Sequence, residues 1–499
     1  MPTLRPVFPL LLFLALLMIG CSASRPPVTT GSPNAVDQLR QQIEQILADI
    51  ALTQSNVGIK ILSLDRGEVL YSRDSHKLFH PASNMKLLTT ATALNRLGTS
   101  FFYETVAGTD SGMVPGETLG GNLYLQGRGN PDLELADLEM MIAQLRDRGL
   151  RRITGDLVVD PSYFDELFWG NGWMWDDASA WYWAPITPLA VNDNCVEILV
   201  SPGKNPGDSL IYKLLPDTRY MKVINNGFTA QPGDSAAVDS FTVVRDWIKP
   251  ANVIRISGAM YPGQDSDNSV IDVLSGDLFG ATLFAELLER AGIAFTGAVR
   301  YGKMPANAAV WATHRSPLLA ATIINTNKIS DNLSAENLLK TVAAQKRGVP
   351  GTARNGVSEI YAFLDSLGVD STSYRVVDGS GVSRYDVITP DLLVTLLEGM
   401  HRDFRVQAEF KTSLPIAGVD GTLKYRMRNT PAQGNLRAKT GSLSGVSSLS
   451  GYTSTADGEL LAFSIIMEHF LVPTRRIREA QDRIGALISG WSRQQVTGK

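Results

Sequence analysis

The chain has 499 residues, 44% hydrophobic and 19% charged, an ordinary globular composition with length for two or three domains. A formal net charge of −4 excludes the basic bias of a nucleic-acid-binding protein. Two cysteines and five histidines, none in an H-E-x-x-H pattern, exclude a cysteine-rich zinc site and weaken any metallopeptidase reading, so no metal or cofactor is expected.

Arg5 precedes an uncharged apolar run, Val7 to Gly20, shorter than a comfortable membrane span and typical of a signal segment over residues 1–20. The run ends in Gly20-Cys21-Ser22, the form of a lipoprotein cleavage site, although Met18 stands where Leu is usual. Lipidation of Cys21 would turn the targeting segment into an anchor, and Ser22 resembles an outer-membrane sorting signal. The alternative is a plain signal peptide cut near Ala23. With Cys21 acylated, Cys195 has no disulfide partner within the chain. Residues 21–34, rich in Ser, Pro, Thr and Gly, read as a tether.

Apolar residues recur at helical spacing from Ala35 to Leu52. Val57–Leu64 and Glu68–Tyr71 read as a hairpin around Asp65-Arg66-Gly67. A helix is expected from Ser83 to Leu97, ended by Gly98. Residues 104–305 are Gly-rich with short strand-like runs, and read as a mostly-β insertion of two subdomains. A loop from Phe168 to Trp183 holds five of the eight tryptophans, which are read as buried packing aromatics. Helical patterns return at 318–325, 335–345, 356–367 and 390–401, the last entered through Thr389-Pro390. Two strands, Gly445–Thr455 and Leu460–Glu468, and a helix from Arg475 to Trp491 close the chain. The economical fold is α+β. Residues 35–103 and 306–499 build one domain, an antiparallel sheet flanked by helices, split by the insertion at 104–305.

Three short motifs carry chemistry. Ser83-Asn84-Met85-Lys86 puts a hydroxyl and an amine on one helical face, where a desolvated lysine can deprotonate the serine. Ser201-Pro202-Gly203-Lys204 has the same spacing, but Pro-Gly makes a turn. Ser330-Asp331-Asn332 precedes a helical run and suits a loop open to a cleft; Ser32-Pro33-Asn34 and Ser266-Asp267-Asn268 lack that context. Lys439-Thr440-Gly441 occurs once, before strand-rich sequence, and fits an edge strand whose Lys and Thr bind a carboxylate while Gly allows close backbone approach. Each motif alone could be ordinary surface sequence; all three in this order, each in suitable context, are the set of serine β-lactamases and penicillin-binding proteins. There is no Gly-x-Ser-x-Gly elbow for a His-based triad.

The chain resembles the low-molecular-mass class C penicillin-binding proteins, the D-alanyl-D-alanine carboxypeptidase/endopeptidase family of serine peptidases. The likeness includes Pro81-Ala82-Ser83, Asn327-Lys328, Gly127-Arg128-Gly129-Asn130-Pro131, Gly155 to Asp160, Asn192-Asp193-Asn194 and Asp378-Gly379-Ser380-Gly381. The interval from Ser83 to Ser330 is far longer than in β-lactamases, and this family places its extra domains there. The resemblance implies an acyl-enzyme on Ser83, with Lys86 as base. Ser330 relays the proton with help from Lys439, Asn332 holds the substrate amide, Thr440 binds the terminal carboxylate, and Gly441 and Ser442 also contact the substrate. The N–H groups of Ser83 and Ser442 form the oxyanion hole. Asp160 is the candidate for recognising the stem peptide's diamino acid, with a turn-closing Asp as the alternative. Implied partners are peptidoglycan stem peptides and β-lactam antibiotics, with membrane contact through a lipid anchor only and no nucleic acid. A β-lactamase on the same core and a catalytically silent scaffold are the rival readings.

Overall fold

The computed structural model describes residues 34–114 and 117–493. The signal segment, Cys21, Ser22 and nearly all of the tether lie outside the described residues. No described helix is long and apolar enough to cross a membrane.

Five strands form one antiparallel sheet: β1 (Asn56–Ser63), β2 (Glu68–Arg73), β3 (Arg437–Leu443), β4 (Val446–Ser454) and β5 (Leu460–Glu468), in the order β2-β1-β5-β4-β3. The chain's two ends therefore meet at the β1–β5 pairing, Asn56 to Ser63 against Glu468 to Leu461. β5 reads as a continuous apolar run because both its faces are covered. Ala462 and Ile466 pack with the helices Met85–Leu97 and Pro390–Arg402. Leu461, Phe463, Ile465 and Met467 pack with the terminal helices Ala35–Leu47 and Thr474–Gly490. Burying the apolar stripes of those helices supplies most of what holds them, as isolated helices of this length are marginal. The helix caps follow the sequence: Asn34, Thr352 and Thr389 each accept a backbone N–H in the first turn.

The insertion differs from the mostly-β expectation. It holds helices at Leu135–Asp147 and Gly276–Arg290, and several of its strand pairs are parallel. The second helix is buried over most of its surface, so it lacks the polar face that marks a helix in sequence. The expected return at residue 306 also falls early. Ala309–Arg315 pairs with Glu104–Thr109 and still belongs to the insertion's five-stranded sheet. Residues 195–272 add smaller sheets, yet one apolar cluster, including Leu125, Val159, Ile198, Ile256 and Phe284, runs through both parts. Within it, Arg245 and Asp272 form a pair at 2.8 Å with side chains 1% and 0% exposed.

Removing one partner of a fully buried pair leaves an uncompensated charge. Asp272→Ala is therefore expected to destabilise the insertion by roughly 3–5 kcal/mol, read as a lower urea midpoint; an unchanged midpoint would show that Arg245 finds water.

Candidate active site

The helix entry at Ser83 is a tight turn. Ala82–Asn84 is a single 3₁₀ turn that leads directly into Met85–Leu97, and Ala82 takes a left-handed φ of 47°. Strand β4 fixes it: Ser448 Oγ donates to the Pro81 carbonyl at 2.7 Å, and Asn84 Nδ2 donates to Ser450 Oγ at 2.8 Å. Gly441 on β3 lies against the same turn. A Cβ there would come within 2.8 Å of the Pro81 carbonyl and 2.9 Å of the Ser83 nitrogen. The close approach that Gly441 permits is thus first of all to the nucleophile's own backbone.

The three motifs converge. Lys86 Nζ donates to Ser83 Oγ at 3.1 Å, Asn332 Oδ1 at 2.6 Å and the Ser380 carbonyl at 2.8 Å. Lys439 Nζ donates to Ser330 Oγ at 2.8 Å and the Thr440 carbonyl at 2.8 Å. Both lysines are fully buried. Burial pushes Lys86 down to about 8, against the pull of Asp331, Asp378 and Glu336. Burial, and then Lys86, push Lys439 well below the usual lysine range. Ser330 sits at a left-handed φ of 71°, just before the helix Asn332–Arg347 that Asp331 caps. Lys439 and Thr440 lie on β3, the sheet's edge, as expected. Thr440 Oγ1 donates to Thr422 Oγ1 at 2.7 Å, and Ser442 Oγ accepts from Arg478 at 2.9 Å.

A ring of groups that the motifs do not include holds this centre. Glu336 Oε1 accepts the N–H groups of Gly379 and Ser380, and burial with Asp378 nearby pushes its carboxyl up to about 7. Asp378 accepts the N–H groups of Gly381 and Ser383 and the indole N–H of Trp173. Gly381, at φ +83°, passes so close to Ala82 that a Cβ would sit 1.9 Å from its carbonyl oxygen. Glu336 stands four residues after Asn332, one helical turn on, which is the signal that could have found it.

The insertion closes one side. Its Trp-rich loop is tied down by Lys340 Nζ to Asp165 Oδ1 and the Leu167 carbonyl, both 2.6 Å, and by Asn332 Nδ2 to the Tyr182 carbonyl at 2.7 Å. A cleft of about 770 Å³ results, lined by Ser83, Ser330, Asn332, Thr440, Gly441 and Ser442 among others. Asp176 and Asp177 enter it from the loop, and Arg384, Arg426 and Arg478 from the catalytic side. No sequence motif marked these five; they come from segments remote in the chain.

Two expectations need correction. Asp160 is not on the cleft wall. It is 1% exposed, and its carboxylate accepts Gln126 Nε2, Ser162 N and Met304 N, each at 2.9 Å. It closes the turn after its strand, the alternative reading. The loop's five tryptophans are not a buried cluster either: Trp169 stacks on Trp183 in a half-buried pair, while Trp175 and Trp181 are 70% and 40% exposed.

A serine activated by a buried lysine, beside a second buried lysine–serine pair, defines a serine acyl-transfer centre. The model of the D-Ala-D-Ala carboxypeptidase 3 (S13) family matches residues 39–489, and the chain belongs to that family. It is 34% identical over 468 residues to a D-alanyl-D-alanine carboxypeptidase of Actinomadura sp. (strain R39), covering 91% of this chain and 84% of that one. It is 29% identical over 412 residues to D-alanyl-D-alanine carboxypeptidase DacB of Haemophilus influenzae, covering 82% and 84%. The crystal structure of penicillin binding protein 4 (dacB) from Haemophilus influenzae superposes with a TM-score of 0.79 at 25% identity, covering 90% of this chain and 99% of that one. The same protein complexed with a β-lactam gives 0.73 at 24% identity, covering the same shares.

Two outcomes are expected of this geometry. Only neutral Lys86 accepts a proton, so acylation of Ser83 by a fluorescent β-lactam should climb roughly tenfold per pH unit below about pH 8 and level off above it; a flat profile from pH 5 to 9 would remove Lys86 as the base. Gly441→Ala forces its methyl to within 2.2 Å of Ser448 Oγ. It should cost roughly 1–3 kcal/mol of stability and slow acylation by about 100-fold, as a misplacement of an ångström does. Stopped-flow acylation alongside urea unfolding separates the two effects.

Proposed function

We propose that the chain is a serine-type D-Ala-D-Ala carboxypeptidase and/or DD-endopeptidase that trims peptidoglycan stem peptides through an acyl-enzyme on Ser83. The observation that carries this is the contact between fully buried Lys86 and Ser83 Oγ at 3.1 Å, with Lys439 and Ser330 paired beside it.

Ser83 Oγ attacks the carbonyl between the last two D-residues, and its proton passes to Lys86 Nζ. The N–H groups of Ser83 and Ser442 hold the oxyanion. The C–N bond breaks as Ser330, assisted by Lys439, gives its proton to the leaving amine and takes in exchange the one that Lys86 received from Ser83. Asn332, whose Oδ1 and one N–H are engaged by Lys86 and Tyr182, offers its remaining N–H to the substrate backbone. Thr440 receives the terminal carboxylate. Water then attacks the ester, releasing the shortened peptide and restoring the Ser83 hydroxyl. The cleft-lining positions of Asp176 and Asp177 support a role for these carboxylates in meeting a diamino acid. β-Lactams acylate Ser83 by the same route.

The catalytic unit comprises residues 35–103 and those from 316 onward, with the insertion between them supplying a cleft wall. Arg5, the apolar run to Gly20, and Cys21-Ser22 support export to the periplasm and a lipid anchor in the outer membrane.

Intact-mass measurement of the mature chain with benzylpenicillin, followed by peptide mapping, tests the reading. A stable adduct on Ser83, absent in Ser83→Ala, is expected. No adduct with intact penicillin would favour a silent scaffold, and no adduct with consumed penicillin a β-lactamase.

A further inference from the structure

Trp175 is 70% exposed, an uncommon state for the largest apolar side chain. It lies in the 3₁₀ turn Trp175–Asp177 of the insertion's loop. Met174, Asp176 and Asp177 on either side of it line the catalytic cleft, while Trp175 itself lies outside that lining, at the rim. Its ring packs on Trp247 with centroids 5.2 Å apart and planes tilted by 43°. Trp247 comes from a different segment of the insertion, just past the strand Thr242–Arg245. That base is firmly held: Arg245 is locked to buried Asp272, and Asp246 is paired with Arg255 at 2.6 and 2.9 Å. Ile248, 79% exposed, extends the patch.

We propose that the Trp175–Trp247 pair is a carbohydrate platform that takes a sugar ring of the glycan strand bearing the stem peptide; this rests on the reading of the cleft as a stem-peptide site. A pyranose has a flat face of C–H bonds that packs on an indole, and rim hydroxyls that seek acceptors. Both are met where exposed Trp175, backed by half-buried Trp247, adjoins the carboxylates Asp176 and Asp177. The patch is a few side chains wide, well below the roughly 800 Å² per partner of a stable protein interface. It is, however, continuous with the cleft. The few residues between the sugar and the scissile bond span roughly 14 Å when extended, so a seated stem peptide holds its sugar at the cleft's rim. Two rigidly based rings from separate segments define one edge of that rim.

The test compares one pentapeptide ending in D-Ala-D-Ala in two forms, free and carried on the N-acetylglucosamine–N-acetylmuramic acid disaccharide, using the mature chain and its Trp175→Ala, Trp175→Phe and Trp247→Ala variants. Trp175→Ala is expected to raise KM for the disaccharide form at least fivefold with kcat unchanged, and to leave the free pentapeptide unaffected. Trp247→Ala should act in the same direction, and Trp175→Phe should recover most of the loss. Peptide-free glycan strands should quench the wild-type tryptophan fluorescence saturably, and Trp175→Ala should weaken that response. Equal constants for the two forms in wild type and variants would overturn the proposal, as would saturable quenching by lipid vesicles but not by glycan strands. Glycan binding without hydrolysis of either peptide would uphold the platform while removing the peptidase reading.

Discussion

The centre depends on the burial of Lys86. A lysine in water holds its proton at any physiological pH, and one lowered to about 8 has given up roughly 3 kcal/mol of preference for the charged form. At neutral pH about one molecule in ten then presents a free amine, enough to activate a serine without a histidine. Three acidic side chains act against this shift, and desolvation still dominates. The reason lies in how those acids are occupied. Asp331 caps a helix, Asp378 holds three N–H donors, and Glu336 is itself pushed toward its neutral form. The N–H dipoles that each accepts offset part of its charge at the lysine.

The same lysine also determines the shape of the site. Its three acceptors come from three segments: the turn at Ser83, the helix at Asn332 and the loop at Ser380. A buried ammonium or amine must satisfy its bonds where it stands, so the lysine binds these segments together as firmly as apolar packing does. Asn332 then passes the constraint on to the insertion through the Tyr182 carbonyl. The cleft wall at Tyr182, 150 residues from Asn332 in the chain, is thereby in register with the nucleophile.

How much of this was legible in the sequence divides along physical lines. Motifs with local geometry read well. Ser83 and Lys86 share a helical face, Thr389-Pro390 starts a helix, and Lys439 lies on an edge strand because strand-rich sequence follows it. Elements buried on all sides read poorly: the helix Gly276–Arg290 carries two glycines and no polar face, so its period is erased. Asp160 was misread because a carboxylate at a strand end looks the same whether it turns inward or outward. The choice was made by Ser162 N and Met304 N, the latter from a strand-end loop far along the chain. Arg384, Arg426 and Arg478 carry no signature at all, since only the folded chain brings them to β3.

Those arginines complete the electrostatics of the cleft. Acids stand on the insertion's side, at Asp176 and Asp177, and guanidiniums on the catalytic side. Arg426 is paired with Asp482 at 2.7 Å, while Arg478 stays exposed and donates to Ser442 Oγ at 2.9 Å. Lining the cleft, Arg478 stands where an anion can meet it. Thr422, Thr440 and Ser442 add hydroxyl donors along the same stretch. Charges of both signs along one cleft favour a ligand that carries both. A neutral or symmetric ligand would leave one wall unpaired. The cleft's two signs of charge thus come from parts of the chain remote in sequence, the loop at Asp176 and Asp177 and the segments around β3, that only the folded molecule brings together.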